Sequence, residues 1–167
     1  HGDDSGLVLP PNVAPKQLVI VPIFRTEEDR VAVAGAIETL ERQLADVVTV
    51  SGPLRWTTDW REESPGFKFN HWELRGVPLR LEIGPRDVAA GQGVIVRRID
   101  RAKETVPLGA IAEDLPGRLV GYQAAVFQRA LDFRAANTHH VDGWDDLASV
   151  VAAAERGKDR WMVYCAP

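Results

Sequence analysis

The sequence predicts an α/β domain, a mixed sheet of about five strands flanked by helices. Three observations predict it. Leu18 to Ile23 is an unbroken apolar run rich in β-branched residues, as in a strand buried on both sides. Val33, Ile37, Leu40 and Leu44 recur at helical spacing. Leu79, Leu81 and Ile83 alternate with Arg80 and Glu82, so one strand carries an apolar face and a charged one.

The elements follow in order. Leu18 to Ile23 is the first strand. Thr26, with Asp29 three residues on, resembles a capping box, and the helix it opens runs to about Ala45. Ser51-Gly52-Pro53 is a turn, Leu54 to Thr58 a short strand and Asp59 to Ser64 a polar loop. Ser64-Pro65 reads as an N-cap and first helical residue, with Gly76 as the stop. Gly84-Pro85-Arg86-Asp87 breaks the strand that begins at Leu79. Gly91-Gln92-Gly93 leads into a strand at Val94 to Ile99; Glu104 to Leu108 is its edge partner, reached by a tight return through Asp100 to Lys103. Leu119, Tyr122, Val126, Ala130 and Phe133 share one face of a long helix after Pro116. Trp144, Leu147 and Val151 mark a last helix, Trp144 to Ala154, before a final strand at Arg160 to Tyr164.

Composition bounds the function. A chain of 167 residues that is 45% hydrophobic and 26% charged fits one globular domain and excludes intrinsic disorder or a fibrous repeat. The longest apolar run, Leu18 to Phe24, falls far short of the ~20 residues that cross a bilayer, so no membrane partner is expected. The single cysteine, Cys165, can form neither an internal disulfide nor a multi-thiolate metal site, which suits the reducing cytoplasm. His1 in place of Met, and an end two residues after Cys165, give both termini a cut look.

The net charge of −4 hides an asymmetry. Ser51 to Lys103 holds ten Lys and Arg against seven acids, interleaved with Trp56, Trp60, Phe67, Phe69 and Trp72. Cations for phosphates and flat faces for bases are what single-stranded nucleic acid needs; a solvated charged face over an aromatic core is the plainer alternative. In the helix after Ser64, Phe67, Asn70 and Leu74 share one side while Phe69, Trp72 and Glu73 share the other. Burial accounts for one side and leaves the other open to base stacking. Lys68 stands among them as a candidate phosphate contact.

Other candidate chemistry is thin. Gly91-Gln92-Gly93 lacks the third glycine and the Lys-Ser/Thr of a phosphate loop, and no Gly-x-Ser-x-Gly elbow exists. His139-His140-x-Asp142 can be drawn as a metal cluster, yet histidines after a long helix also favour its negative end. Cys165 alone reads as a small buried hydrophobe rather than a nucleophile. No catalytic residue is assigned.

The segment from Ser64 to Asp87 closely resembles prolyl-tRNA synthetase of the archaeal and eukaryotic type, a class II aminoacyl-tRNA synthetase. So do His1 to Pro11, Lys103-Glu104-Thr105-Val106-Pro107-Leu108 and Pro116-Gly117-Arg118-Leu119, so the likeness covers essentially the whole chain. It implies that residues 1–15 are the tail of the catalytic domain in its motif 3 region. Residues 16–155 would then be an anticodon-binding domain of the class II fold, and 156–167 the start of a truncated C-terminal zinc-binding region. Cys165 is a zinc ligand only in a longer chain on this reading. Asn12 departs from the family, whose relatives often place there an arginine used on ATP, which argues against ATP binding by this piece. Gly84-Pro85-Arg86-Asp87 replaces a Gly-Pro-Lys-Asp of some relatives and keeps the charge.

The resemblance implies a partner, the anticodon loop of proline tRNA. It also implies an intact enzyme that joins proline to tRNA through an ATP- and magnesium-dependent prolyl-adenylate. That enzyme would dimerise through a catalytic domain outside this piece, which is expected to be inactive alone. Every proline anticodon ends in two guanines. A carboxylate accepts from guanine N1–H and N2–H2 while a guanidinium donates to O6, a pairing that adenine leaves unsatisfied. The implied readers are Glu73 with Arg80 and Arg86 with Asp87, with Phe69 stacking and Lys103 assisting. A related domain recruited as a non-catalytic accessory module, without anticodon specificity, is the rival.

Overall fold

The computed structural model describes residues 2–154 and 162–165. They form two compact units divided within one long helix, residues 1–126 and 127–167.

The first unit opens with a small antiparallel hairpin of β1 (Gly2–Asp3) and β2 (Gly6–Leu7). Strand β3 (Leu18–Pro22) is wholly buried, and α1 (Glu27–Leu44) follows, its N-cap Thr26 accepting from the Asp29 N–H. The predicted Ser51-Gly52-Pro53 turn belongs to a two-stranded hairpin, β4 (Val48–Thr49) with β5 (Gly52–Pro53). The predicted strand Leu54 to Thr58 shortens to β6 (Trp56–Thr58). Helix α2 (Pro65–Leu74) is capped by Ser64, which accepts from the Phe67 N–H, and the chain leaves it through Gly76 at φ +70°. After β7 (Leu79–Ile83), the predicted break at Gly84-Pro85 is the entry to a short helix, α3 (Pro85–Ala89). There Pro85 at the first position and Asp87 at the third suit a helix start better than a plain turn. The next strands are β8 (Gln92–Arg97) and β9 (Lys103–Pro107).

Helix α4 (Ile111–Ala136) begins five residues before Pro116, not after it. Ile111 and Leu115 extend the buried stripe of Leu119, Tyr122 and Val126 backwards at helical spacing, and that burial outweighs the one backbone bond the proline forgoes. The stripe ends there, since Ala130 and Phe133 are exposed.

The main sheet has the order β6-β3-β7-β8-β9. β3 pairs parallel with β6 and β7, while β7, β8 and β9 are antiparallel neighbours. Because α1 carries the chain from β3 to one side and α2 carries it back past β3 to the other, right-handed crossovers put the two helices on opposite faces. One face meets α1 and α4 in the core of Leu18, Ile20, Val33, Ile37, Leu40, Leu79, Leu81, Ile83, Ile95 and their neighbours. The other carries a smaller cluster, Val19, Val21 and Val77, against which Phe69 and Trp72 of α2 pack.

In the second unit, β10 (Thr138–Val141) pairs parallel with β11 (Met162–Cys165), joined through α5 (Trp144–Ala154). β10 was not predicted; its Thr-His-His-Val run is too short and polar to signal a strand. Of the predicted final strand, Met162 to Tyr164 lie in β11, while residues 160 and 161 are outside the described residues, as are 156–159, 166 and 167 of the predicted C-terminal region.

Candidate nucleic-acid interface

Pleating sets the site. With Leu79, Leu81 and Ile83 in the core, Arg80 and Glu82 must project onto the α2 side of the sheet. Register then puts Val19, Arg80, Val96 and Lys103 in one row across four strands, with Val21, Glu82, Val94 and Thr105 in the next. α2 covers the first part of these rows. Lys103 and Thr105 at the far end are exposed.

Arg80 is the centre of the cluster. Its Nη1 donates to Glu73 Oε1 at 2.9 Å and its Nε to Glu82 Oε1 at 3.0 Å, with Nη2 2.9 Å from the same oxygen. Its guanidinium carbon lies 4.1 Å from the centre of the Phe69 ring, a cation–π contact. Lys103 Nζ stands 3.8 Å from Glu82 Oε2, and Arg101 Nη2 3.9 Å from Glu73 Oε2. Thus Phe69, Glu73, Arg80 and Lys103 come together. Glu82, which is not among the implied readers, binds Arg80 and faces Lys103; its position two residues from Arg80 in an alternating strand is the sequence signal that could have found it. One face of the Phe69 ring is occupied by Arg80.

Arg86 and Asp87 lie apart from this cluster, in α3 beyond the end of β7. Asp87 Oδ2 accepts from the Gly84 N–H at 2.8 Å, closing the helix start, while Arg86 is exposed. They are sequence neighbours but not an ion pair.

A second polar knot lies under α2. Asp59, its side chain 1% exposed, accepts from Arg61 Nη2 at 2.6 Å and Arg61 Nε at 2.8 Å, and from Trp72 Nε1 at 2.8 Å. The Arg61 hydrogen bonds hold its carboxyl well below the usual carboxylate range, against the opposing effect of burial. Lys68 is 3% exposed and donates to the Asp59 carbonyl at 3.0 Å; burial pushes its ammonium down. It is therefore not a surface phosphate contact, contrary to the sequence expectation. Phe24, Trp60, Arg61 and Lys68 also line a cleft of about 230 Å³ near the carboxyl end of β3, where doubly wound sheets commonly take ligands.

On the opposite side of the cluster, Arg98 is 4% exposed. Its Nη1 and Nη2 donate to the Asp3 carboxylate at 2.9 and 2.6 Å, and its Nε to the Glu73 carbonyl at 3.1 Å. Nothing local in the sequence signals a contact across 95 residues.

Among the described residues no group of three or more His, Cys, Asp or Glu is placed to hold a metal ion, and no helix is long and apolar enough to cross a membrane. His140 Nδ1 lies 3.4 Å from Asp142 Oδ1 beside β10, while the side chain of Cys165 is outside the described residues.

The chain spans about a third of the length of the curated relatives it matches. It is 47% identical over 154 residues to the "Proline--tRNA ligase" of Mycobacterium leprae (strain Br4923), covering 91% of this chain and 31% of that protein. It is 46% identical to "Proline--tRNA ligase 2" of Rhodococcus jostii (strain RHA1), with 91% and 31% covered. To "Proline--tRNA ligase" of Chloroflexus aurantiacus (strain ATCC 29366 / DSM 635 / J-10-fl) it is 43% identical over 161 residues, with 94% and 32% covered. These relatives are bacterial, so the archaeal and eukaryotic type does not follow from them. The family described as "Anticodon binding domain" matches residues 17–117, which include the whole five-stranded sheet and every residue of the Arg80 cluster, and the chain belongs to that family.

Proposed function

We propose that this chain is the tRNA-reading part of a proline-tRNA ligase and that it recognises the two guanines ending the proline anticodon. One observation carries the proposal: Glu73 and Glu82 grip Arg80 from both edges, on a sheet face left partly open, in a chain similar to proteins named proline-tRNA ligases. A guanidinium has five donor hydrogens, and the contacts to Glu73 and Glu82 use three, leaving one each on Nη1 and Nη2 for guanine O6. Glu73 Oε2 accepts no hydrogen bond among the described residues and has only the longer ion pair with Arg101 at 3.9 Å, so it can turn to guanine N1–H and N2–H2. Exposed Arg86, with the second oxygen of Asp87, offers a similar donor and acceptor for the other guanine. Lys103 assists at the open edge.

In the whole protein this reading places residues 1–15 in the motif 3 tail of a catalytic domain, 16–155 in the anticodon-binding domain and 156–167 in a zinc-binding region that Cys165 helps to ligate. That protein, by the motif resemblance of the archaeal and eukaryotic type, forms prolyl-adenylate from proline and ATP with magnesium, works as a cytoplasmic homodimer, and passes proline to tRNA. The piece alone then catalyses no proline-dependent ATP–pyrophosphate exchange. Salt-matched titration of labelled stem-loops tests the reading. Preference for the loop ending in two guanines over one with both changed to adenine is expected, and equal affinity overturns it.

A further inference from the structure

The β1–β2 hairpin is fitted onto the last turn of α2, the turn that carries Glu73. Gly6 has φ +123°, and a Cβ there would lie 2.5 Å from the Leu74 Cα. Gly76 has φ +70°, and its Cβ would lie 2.7 Å from the Leu7 Cβ. Backbone meets backbone at this joint, and only glycine permits the approach on either side. The Leu9 N–H also donates to the Gly76 carbonyl at 3.4 Å.

Arg98 locks the joint with a polar clasp. Three of its donors go to two partners: the fork to Asp3 of the hairpin, and Nε to the Glu73 carbonyl. That carbonyl belongs to the helix end, where acceptors lack intrahelical partners, and it also receives the Gly76 N–H at 3.0 Å and the Arg75 N–H. Arg98 is itself anchored, its backbone N–H donating to the Pro78 carbonyl at 2.9 Å beside the start of β7. So Arg98 joins the sheet, the hairpin and the base of the Glu73 side chain, whose other end sits 2.9 Å from Arg80.

We infer that Arg98 is a positioning residue for base recognition: clasped to Asp3, it fixes the end of α2 so that the Glu73 carboxylate stays in register with Arg80. The inference rests on the proposed reading of guanine by Glu73 and Arg80. Without Arg98 the Glu73 carbonyl keeps only its local turn bonds, and the end of this ten-residue helix loses its side-chain tie to the hairpin and the sheet. A carboxylate that swings by an ångström no longer meets both guanine donors. The hairpin thereby becomes part of the reading apparatus, through Asp3 on Arg98 and through Ser5, whose hydroxyl accepts from the Arg101 that faces Glu73.

The test uses the full 167-residue chain and two labelled anticodon stem-loops, one ending in two guanines and one with both changed to adenine. Arg98→Ala is expected to weaken the guanine loop roughly tenfold and the adenine loop less than about twofold. Combined with Glu73→Gln it should add nothing, since it acts through Glu73. Arg98→Lys, which can reach Asp3 or the Glu73 carbonyl but not both, should restore part of the loss. Asp3→Asn, at a side chain 30% exposed, gives the same selectivity loss without removing Arg98 and covers the case in which Arg98→Ala fails to fold. Equal losses on both loops, or an additive double variant, mean a general structural role and overturn the inference. If Glu73→Gln leaves guanine preference intact, the guanine reading itself fails; if Glu73→Gln abolishes the preference while Arg98→Ala and Asp3→Asn do not, the positioning role alone fails.

Discussion

Arg80 sits over Phe69, its guanidinium carbon 4.1 Å from the ring centre, while Glu73 and Glu82 hold its two edges. The arginine is thus preorganised in the plane where a base edge would meet it, and little rotamer entropy remains to be lost on binding.

On the proposed reading Arg80 is both a support and a reader. Arg80→Ala leaves two largely buried carboxylates facing each other and should lower stability by about 1–3 kcal/mol, measured by urea unfolding. Arg80→Lys keeps a charge between them but loses the planar fork, so it should unfold near the wild-type midpoint yet lose guanine preference in loop titrations. Retained preference in Arg80→Lys would count against a bidentate role.

Arg86 and Asp87 should separate in their effects. Arg86→Ala, at an exposed position, is expected to cost about 1–3 kcal/mol on the guanine loop with an unchanged melting temperature. Asp87→Ala frees the Gly84 N–H and unpins the start of α3, so it should also destabilise the fold by about 1 kcal/mol. Paired thermal melts and titrations check both.

Asp59 sets an acid dependence. Its folded-state pKa is depressed, so its stabilising contribution is complete above the unfolded carboxylate value of about 4 and is lost as pH falls toward the folded value. Asp59→Asn should therefore melt below wild type at pH 7, with the gap closing as pH drops from about 4 toward 2. Melts across that range decide it; a constant gap would assign the knot to packing rather than charge.

Two glycine-to-alanine changes should have opposite signs. Gly35 lies within α1, and a methyl group at its Cβ position would meet nothing within 4 Å, so Gly35→Ala should stabilise by about 0.5–1 kcal/mol. Gly6→Ala must displace the Leu74 backbone or abandon φ +123°, and should destabilise by more than about 1 kcal/mol. Chemical unfolding of both variants beside wild type is the measurement.

What was legible in the sequence follows the range of the forces involved. Thr26, Ser64 and Gly76 act within a few residues, so the limits of α1 and α2 could be read from them, while the spacing of Trp144, Leu147 and Val151 marked α5. The alternation around Arg80 placed both its charges on one face correctly. Pro116 misled because a local rule was given priority over the tertiary burial of Ile111 and Leu115. Lys68 misled because a charged residue beside aromatics looks solvent-facing until its partner, the Asp59 carbonyl nine residues earlier, is seen. The Arg98–Asp3 clasp joins positions whose neighbourhood exists only after folding, and no local pattern encodes it.

Strand β7 runs parallel to β3 on one side and antiparallel to β8 on the other. Parallel neighbours need a long return path, and each return lays a helix across the sheet, which is how α1 and α2 come to cover β3 on both sides. From β7 onward the chain doubles back on itself; the first return holds only the short α3, packed beside α1 and β8, and the second holds no helix, so neither lays a helix over the Lys103 side. Lys103 and Thr105 are bare for that reason. The accessible strip, at the β9 edge and one buried valine, Val96, away from Arg80, is a by-product of wiring, present before any side chain is chosen, and substitutions at Lys103 and Thr105 can retune what it touches without disturbing the sealed half of the sheet.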